Sequence, residues 1–178
     1  MKTKLQIGPG KVYFPDWENV DIFTIHYADA YGCAMNLPYP ASTFELIYAS
    51  HVLEHINRNM ILTTLHHWKN LLKPGGTLRL AVPDFDAVCN YYMATKDVSK
   101  VMGLLYGGQQ YLLDRHCITF THASLTESLE LVGFKNVREW DWRQVEHSAY
   151  DDYSQAYLPH MDKENGRLMS LNLEADKE

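Results

Sequence analysis

Lys73-Pro74-Gly75-Gly76 separates an amphipathic run from Thr77–Val82, whose alternating apolar residues fit a buried strand. Proline cannot prolong a helix and glycine tolerates a sharp bend, so the four residues stop a helix, turn the chain and restart it as a strand. Upstream, Phe44-Glu45-Leu46-Ile47-Tyr48-Ala49-Ser50 has the composition of another strand and runs into His51-Val52-Leu53-Glu54-His55. From Val52 to Leu72 apolar residues recur at helical spacing through Leu53, Ile56, Met60, Leu65, Trp68 and Leu71. Asn57-Arg58-Asn59 interrupts them, which predicts a short helix and then a longer one from about Met60. Strand, helix and strand make a parallel unit, and a parallel sheet places its site above the carboxyl ends of its strands.

Outward from this unit, Leu5-Gln6-Ile7 is a short strand ending in Gly8-Pro9-Gly10, Asn19–Ile22 a second and Ala30–Ala34 a third. The connections Lys11–Glu18 and Phe23–Asp29 are shorter than the dozen or so residues that a parallel crossover usually takes, which predicts helices reduced to a turn or two. Downstream, Asp86–Gly108 predicts one or two helices, Leu125–Leu131 a helix stopped by Gly133, Phe134–Trp140 a strand and Ser170–Ala175 a last one. Asp141–Met169 has no assignable pattern. The expected fold is α/β, a doubly wound, Rossmann-like and mostly parallel seven-stranded sheet with reduced N-terminal helices. It forms one domain over 1–178, with lid segments at 86–114 and 141–169.

Composition narrows the function. The 178 residues carry a formal net charge of −6 with 46% hydrophobic and 21% charged residues, an ordinary globular balance. No Lys/Arg cluster offsets the acidic excess, with Lys73 and Arg79 standing isolated, so a phosphate backbone is not the expected partner. No apolar run is long enough to cross a bilayer and no signal peptide fits before Leu5. Cys33, Cys89 and Cys117 have neither disulfide nor zinc spacing. A cytoplasmic protein without a membrane partner is expected, and the short N-terminal half leaves apolar surface that a homodimer could cover.

Leu5–Gly10, Trp17–Asp21, Leu37-Pro38-Tyr39, Phe44–His55, Leu72–Pro83 and Leu131-Val132-Gly133-Phe134, in this order, resemble a class I S-adenosylmethionine-dependent methyltransferase over most of Lys4–Trp140. In pattern the chain is similar to the small methyltransferase-like proteins of surface-sugar biosynthesis. That resemblance implies S-adenosylmethionine as cofactor and methyl transfer to an O or N nucleophile of a small molecule or sugar precursor. Gly8, Pro9 and Gly10 would let backbone N–H groups approach the methionine moiety. Asp21 would take the ribose hydroxyls, and Ser50 and His51 would face the methionine arm or the acceptor. The plainer readings are a tight turn for the glycines and a capped turn for Asp21. Two positions depart from the pattern: Gln6 stands where an acid is common, and Cys33 where relatives hold the adenine amino group, which leaves adenine to the backbone around Ala34-Met35.

Methyl transfer from a sulfonium needs alignment, exclusion of water and removal of a proton from a hydroxyl or protonated amine. The candidate bases are, in order, His116, His51 and Asp84, each with a hydrogen-bonded structural role as its alternative. His66 and His67 fit surface or packing positions. His51-Val52-Leu53-Glu54-His55, with His116 or His122, also resembles the acid-x-x-Glu-His helix start and later histidine with which some methyltransferases of this class hold a divalent ion. A helix start explains the same residues, and no metal is assigned. Tyr91, Tyr92, Tyr106, Tyr111, Tyr150, Tyr153 and Tyr157 fall in the two lid segments and fit an aromatic-walled pocket or a core. A dinucleotide-dependent oxidoreductase would need a third glycine, and an acid further along than Asp21. A non-catalytic cofactor- or partner-binding module that kept the fold is the alternative, and Gln6, Cys33 and the short early connections fit it.

Overall fold

The computed structural model describes residues 2–24 and 27–178. Residues 25 and 26, inside the Phe23–Asp29 connection, and Met1 lie outside them. In chain order the strands are β1 Lys4–Ile7, β2 Glu18–Asp21, β3 Ala30–Tyr31, β4 Phe44–Ser50, β5 Leu72–Pro83, β6 Lys135–Glu139, β7 Tyr157–Leu158, β8 Arg167–Leu168 and β9 Ser170–Asp176. The helices are α1 Ile61–Leu71, α2 Phe85–Thr95, α3 Met102–Tyr106 and α4 His122–Leu131. Seven strands form one sheet in the order β3-β2-β1-β4-β5-β9-β6. Pairings from β3 to β5 are parallel, whereas β9 runs antiparallel to both β5 and β6. The order reverses between β1 and β4, so a crevice opens above their carboxyl ends.

The Lys73–Gly76 turn is built into a strand ladder. Phe44 pairs with Leu72 and Leu46 with Thr77, so the turn bulges out of β5 while pairing resumes on both sides. Gly75 has a φ of +77°, and its N–H donates to Lys177 O at 2.7 Å. This edge is opposite the crevice, so the turn shapes the sheet and does no chemistry. After β4 the chain makes 3₁₀ turns at Leu53–His55 and Arg58–Met60 before α1 begins, in line with the interruption at Asn57. Ile61, Leu65 and Trp68 of α1 pack with Leu125 and Leu129 of α4 on Leu5, Ile47, Leu78 and Leu80. Gly133 (φ +87°) ends α4, its N–H donating to Glu130 O at 2.8 Å and that of Phe134 to Leu129 O at 3.0 Å. This is a Schellman closure. Lys69 Nζ adds hydrogen bonds to the carbonyls of Val132 and Gly133.

The opposite face is covered without long helices. Among the described residues no helix forms between β1 and β2 or between β2 and β3. Phe14 and Trp17 of the first connection instead meet Leu46, Tyr48, Ala81 and Trp140, with Trp142 and Val145 packed on them. His147 joins this cluster, its ring centroid 4.3 Å from that of Tyr48, and Tyr150 lies 4.8 Å from Phe14. The segment without a sequence pattern is therefore largely the cover of the second sheet face. It carries two 3₁₀ turns, Trp142–Gln144 and Tyr153–Gln155, and the small β7-β8 hairpin.

Candidate active site

At the carboxyl edge, Gly8 (φ +66°) and Gly10 (φ +54°) both hold the left-handed backbone that the bend after β1 requires. A Cβ on Gly8 would stand 2.5 Å from Val52 Cγ2, whereas one on Gly10 would meet nothing within 4 Å. The loop is thus packed on one side and bare on the other. Gly10 N–H donates to Asp21 Oδ2 at 3.1 Å, and Phe23 N–H to Asp21 Oδ1 at 2.8 Å. The tip of β2 therefore holds its carboxylate against the glycine bend. Both the capped-turn reading and a ligand-facing one draw on this geometry, since each carboxylate oxygen has further lone pairs. Ser50, at the end of β4, has a buried hydroxyl without a hydrogen-bond partner.

His51 follows with a positive φ of 52°, which turns its side chain off the strand. Its Nδ1 lies 3.0 Å from Glu54 Oε1 and its Nε2 3.3 Å from Ser170 Oγ. Tyr153 covers the ring at a centroid distance of 5.4 Å. Glu54 is fully buried, and its Oε1 is met by His51 Nδ1. Burial pushes its carboxyl up, but the neighbouring His51 and His55 outweigh that and hold it below the usual range. His116 comes in from the segment before α4. Its Nδ1 contacts Leu104 O at 2.8 Å, its Nε2 lies 4.0 Å from Glu54 Oε1, and burial pushes its imidazole down despite that carboxylate. His55 packs edge-on against His116 at 4.8 Å, with its Nδ1 3.1 Å from Arg115 O. Cys117 N–H donates to Glu54 O at 2.7 Å and ties the two segments together.

The other sequence candidates have partners of their own. Asp84 caps α2, its Oδ1 accepting from the N–H groups of Asp86 and Ala87. His122 is exposed at the start of α4, 3.9 Å from Glu139. His67 Nε2 accepts from Leu37 N–H, and His66 pairs with Asn70. Arg79 is not isolated: it bonds Glu174 and Glu146 beneath Trp140. Lys73 likewise pairs with Glu45. Gln6 is buried with Oε1 unpartnered, and the Ala34 carbonyl accepts from Trp68 Nε1 at 2.8 Å. The tyrosines divide. Tyr111 stands against Phe23 at 5.1 Å and Tyr153 against His51, both at the crevice edge, whereas Tyr150 packs beneath the sheet. The sequence carried no signal for Ser170, which meets His51 from 119 positions away. Glu54, foreseen mainly as a helix start, is the hub of the histidines.

The sheet order with its one antiparallel insertion, the glycine bend and the acidic tip of β2 define a class I S-adenosylmethionine-dependent methyltransferase. The chain belongs to the methyltransferase domain family, whose model matches residues 7–139. Among solved structures it is similar to an S-adenosylmethionine-dependent methyltransferase of Mesorhizobium loti, at 16% identity and a TM-score of 0.61, over 98% of this chain and 90% of that one. One from Archaeoglobus fulgidus shares 15% identity with a TM-score of 0.62, over 98% and 85%. A "possible histamine N-methyltransferase" of Thermotoga maritima shares 14% with a TM-score of 0.62, over 98% and 82%. No curated protein matches the chain. S-adenosylmethionine is the cofactor, and a methyl acceptor is the substrate. The residues present fit the cofactor, because the bare side of Gly10 adjoins the Asp21 carboxylate and the tip of β4 offers an unpartnered hydroxyl. No described helix is long and apolar enough to cross a membrane.

Proposed function

We propose that the chain methylates an oxygen or nitrogen nucleophile of a small molecule or sugar precursor, with His51 as the proton acceptor. The observation that carries this reading is the placement of His51. It sits at the tip of β4, beside the cofactor crevice, with Nδ1 held by Glu54 and Nε2 at the edge next to Ser170. When bound, the cofactor supplies an electrophilic methyl group whose carbon–sulfur electron pair returns to sulfur as the new bond to the acceptor forms. Gly8, Pro9, Gly10, Asp21 and Ser50 would hold it, while His51 would align the acceptor and take its proton. His116 and Asp84 are assigned other work here, the first behind Glu54 and the second as a helix cap.

A small acceptor is supported by the exposed rings of Tyr106, Tyr111 and Tyr153, which offer flat apolar faces of the kind that stack on sugars. Charge supports it too, since Arg79, Arg138 and Arg143 are all engaged by carboxylates. They are poorly placed to follow a phosphate backbone. The lid segments 86–114 and 141–169 close over the acceptor in this reading, through Tyr111 and Tyr153. The test is H51A assayed for conversion of S-adenosylmethionine across a panel of small hydroxyl and amine acceptors, alongside calorimetric cofactor binding. Retained binding with turnover lost by about 10²-fold or more is expected. Unchanged turnover in H51A refutes the assignment.

A further inference from the structure

We infer that Tyr111 is a cofactor-binding residue: beyond any cover it gives the acceptor, its ring walls the adenosine end of the crevice and offers its face to the nucleoside. Its neighbours place it there. The ring stands edge-on to Phe23, with centroids 5.1 Å apart and an interplanar angle of 79°. Phe23 follows the tip of β2, and its N–H donates to Asp21 Oδ1 at 2.8 Å. Two rings near right angles beside that carboxylate make a corner, with flat apolar faces for a base and an acceptor for ribose hydroxyls. Burial raises the Tyr111 phenol, and the Asp114 and Asp21 carboxylates raise it further, which sets both charges near the hydroxyl. Tyr153, a weaker influence on the same phenol, walls the other end of the crevice against His51.

The loop that carries the ring is tied on both sides of it. Asp114 N–H donates to Tyr111 O at 3.0 Å, and Gln109 N–H to Asp114 O at 2.8 Å. The Asp114 carboxylate accepts from Gly108 N–H at 3.2 Å and from Gln110 N–H at 3.1 Å. A Cβ on Gly107 would stand 2.7 Å from Asp114 O, so only glycine lets the chain close on itself there. Gly107-Gly108-Gln109-Gln110 thus opens a closed turn that presents Tyr111. A ring held in place before binding costs little to order, which suits a wall and not a plug that must leave. Tyr111 is 51% exposed, so it keeps free surface for a ligand. Polar partners for the base are few at the third strand: Cys33 brings no carboxylate, and the Ala34 carbonyl is taken by Trp68 Nε1. Stacking then carries a share of the affinity.

The inference rests on the cofactor and not on the identity of the acceptor or on His51, and binding tests it without turnover. The full chain is titrated calorimetrically with S-adenosylhomocysteine, the demethylated cofactor, and adenosine is measured by competition against it. Y111A should weaken both by the same factor, about 5- to 150-fold, the usual cost of removing one ring from a stacked base. Y111F keeps the ring and should bind like the parent. L112A, changed at the exposed neighbouring position, should do so too. Y111A should melt with the parent, because the ring it removes is half exposed. Tighter binding in Y111A would make the ring a plug, and unchanged binding would make it a bystander. A loss confined to S-adenosylhomocysteine would place the ring at the methionine end. Each of these overturns the assignment, and a parent that binds neither compound overturns it together with the cofactor site. Weakened binding in Y111A alongside unchanged turnover in H51A would uphold it while the proton-acceptor reading fails.

Discussion

Gly8 and Gly10 share a backbone conformation but not surroundings, so alanine at the two positions should do different damage. At either one, a Cβ in the left-handed region costs about 1–2 kcal/mol. At Gly8 the new carbon would also meet Val52 Cγ2 at 2.5 Å, well inside contact distance. Overpacking of this kind costs a further 1–3 kcal/mol or so, which brings G8A to about 2–5 kcal/mol against about 1–2 for G10A. Urea unfolding monitored by tryptophan fluorescence reads the difference. Trimming Val52 to Ala should relieve the clash, so the G8A/V52A double variant should be more stable than the separate effects predict, by about 1 kcal/mol or more. Cofactor affinity should rank the other way. The Cβ of G10A points into the open space beside Asp21 and should weaken S-adenosylmethionine binding more than G8A does, once stability is accounted for. Equal stability of the two variants, or no coupling to Val52, would refute the reasoning.

D84A should lose the cap of α2 and about 0.5–2 kcal/mol of stability, while D84N, which can still cap, should keep both stability and turnover; a dead but folded D84N would reinstate Asp84 as a base. His147 is pushed down to about 4 by burial, with Asp152 and Glu146 opposing and Arg79 and Lys4 assisting. Its folded value lies below its unfolded one, so its contribution is complete above about pH 6.5 and is lost as pH falls toward 4. H147F should flatten that part of the stability–pH curve, and an unchanged slope would count against the burial argument. Trp140 Nε1 donates to Leu80 O at 2.9 Å in the core, so W140F should cost about 1–3 kcal/mol through the orphaned carbonyl, read by thermal unfolding. Tyr48 Oη donates to Asp152 Oδ2 at 2.7 Å, and Asp152 caps the turn that carries Tyr153. Y48F should therefore raise the KM for the acceptor while leaving cofactor affinity near that of the parent.

The central unit was legible because its signals are local. An apolar run marks β4 and alternation β5, spacing through Leu65 and Trp68 marks α1, and Gly133 marks the end of α4. β3 shrank to two residues because only Val20 and Asp21 of β2 face it in register. The cap at Asp84 was readable in principle, since aspartate before a helical run is an N-cap pattern, but its place at a strand tip suggested chemistry instead. Residues 141–169 were illegible for a different reason. Their order comes from rings contributed by Phe14, Trp17, Tyr48 and Trp140, and no periodicity within the segment records such partners. The same limit hid the His51–Ser170 contact, and it left Arg79 looking isolated when its carboxylate partners are 67 and 95 positions away.

The short early connections and the long late segment belong together physically. A doubly wound sheet needs both faces covered, and here the connection from β1 to β2 supplies Val12, Phe14 and Trp17 but no helix. The remaining cover has to come from elsewhere in the chain, and 141–157 brings Trp142, Val145, His147 and Tyr150 onto the open face. The segment is then pinned at the sheet edge by Tyr48 to Asp152 and by Asn172 Nδ2 to Ser154 O at 3.0 Å. Those two anchors flank Tyr153, the ring against His51. Core cover and site wall are thus one piece of chain, so the position of Tyr153 over the candidate base is set by packing on the far side of the sheet and not by the crevice alone.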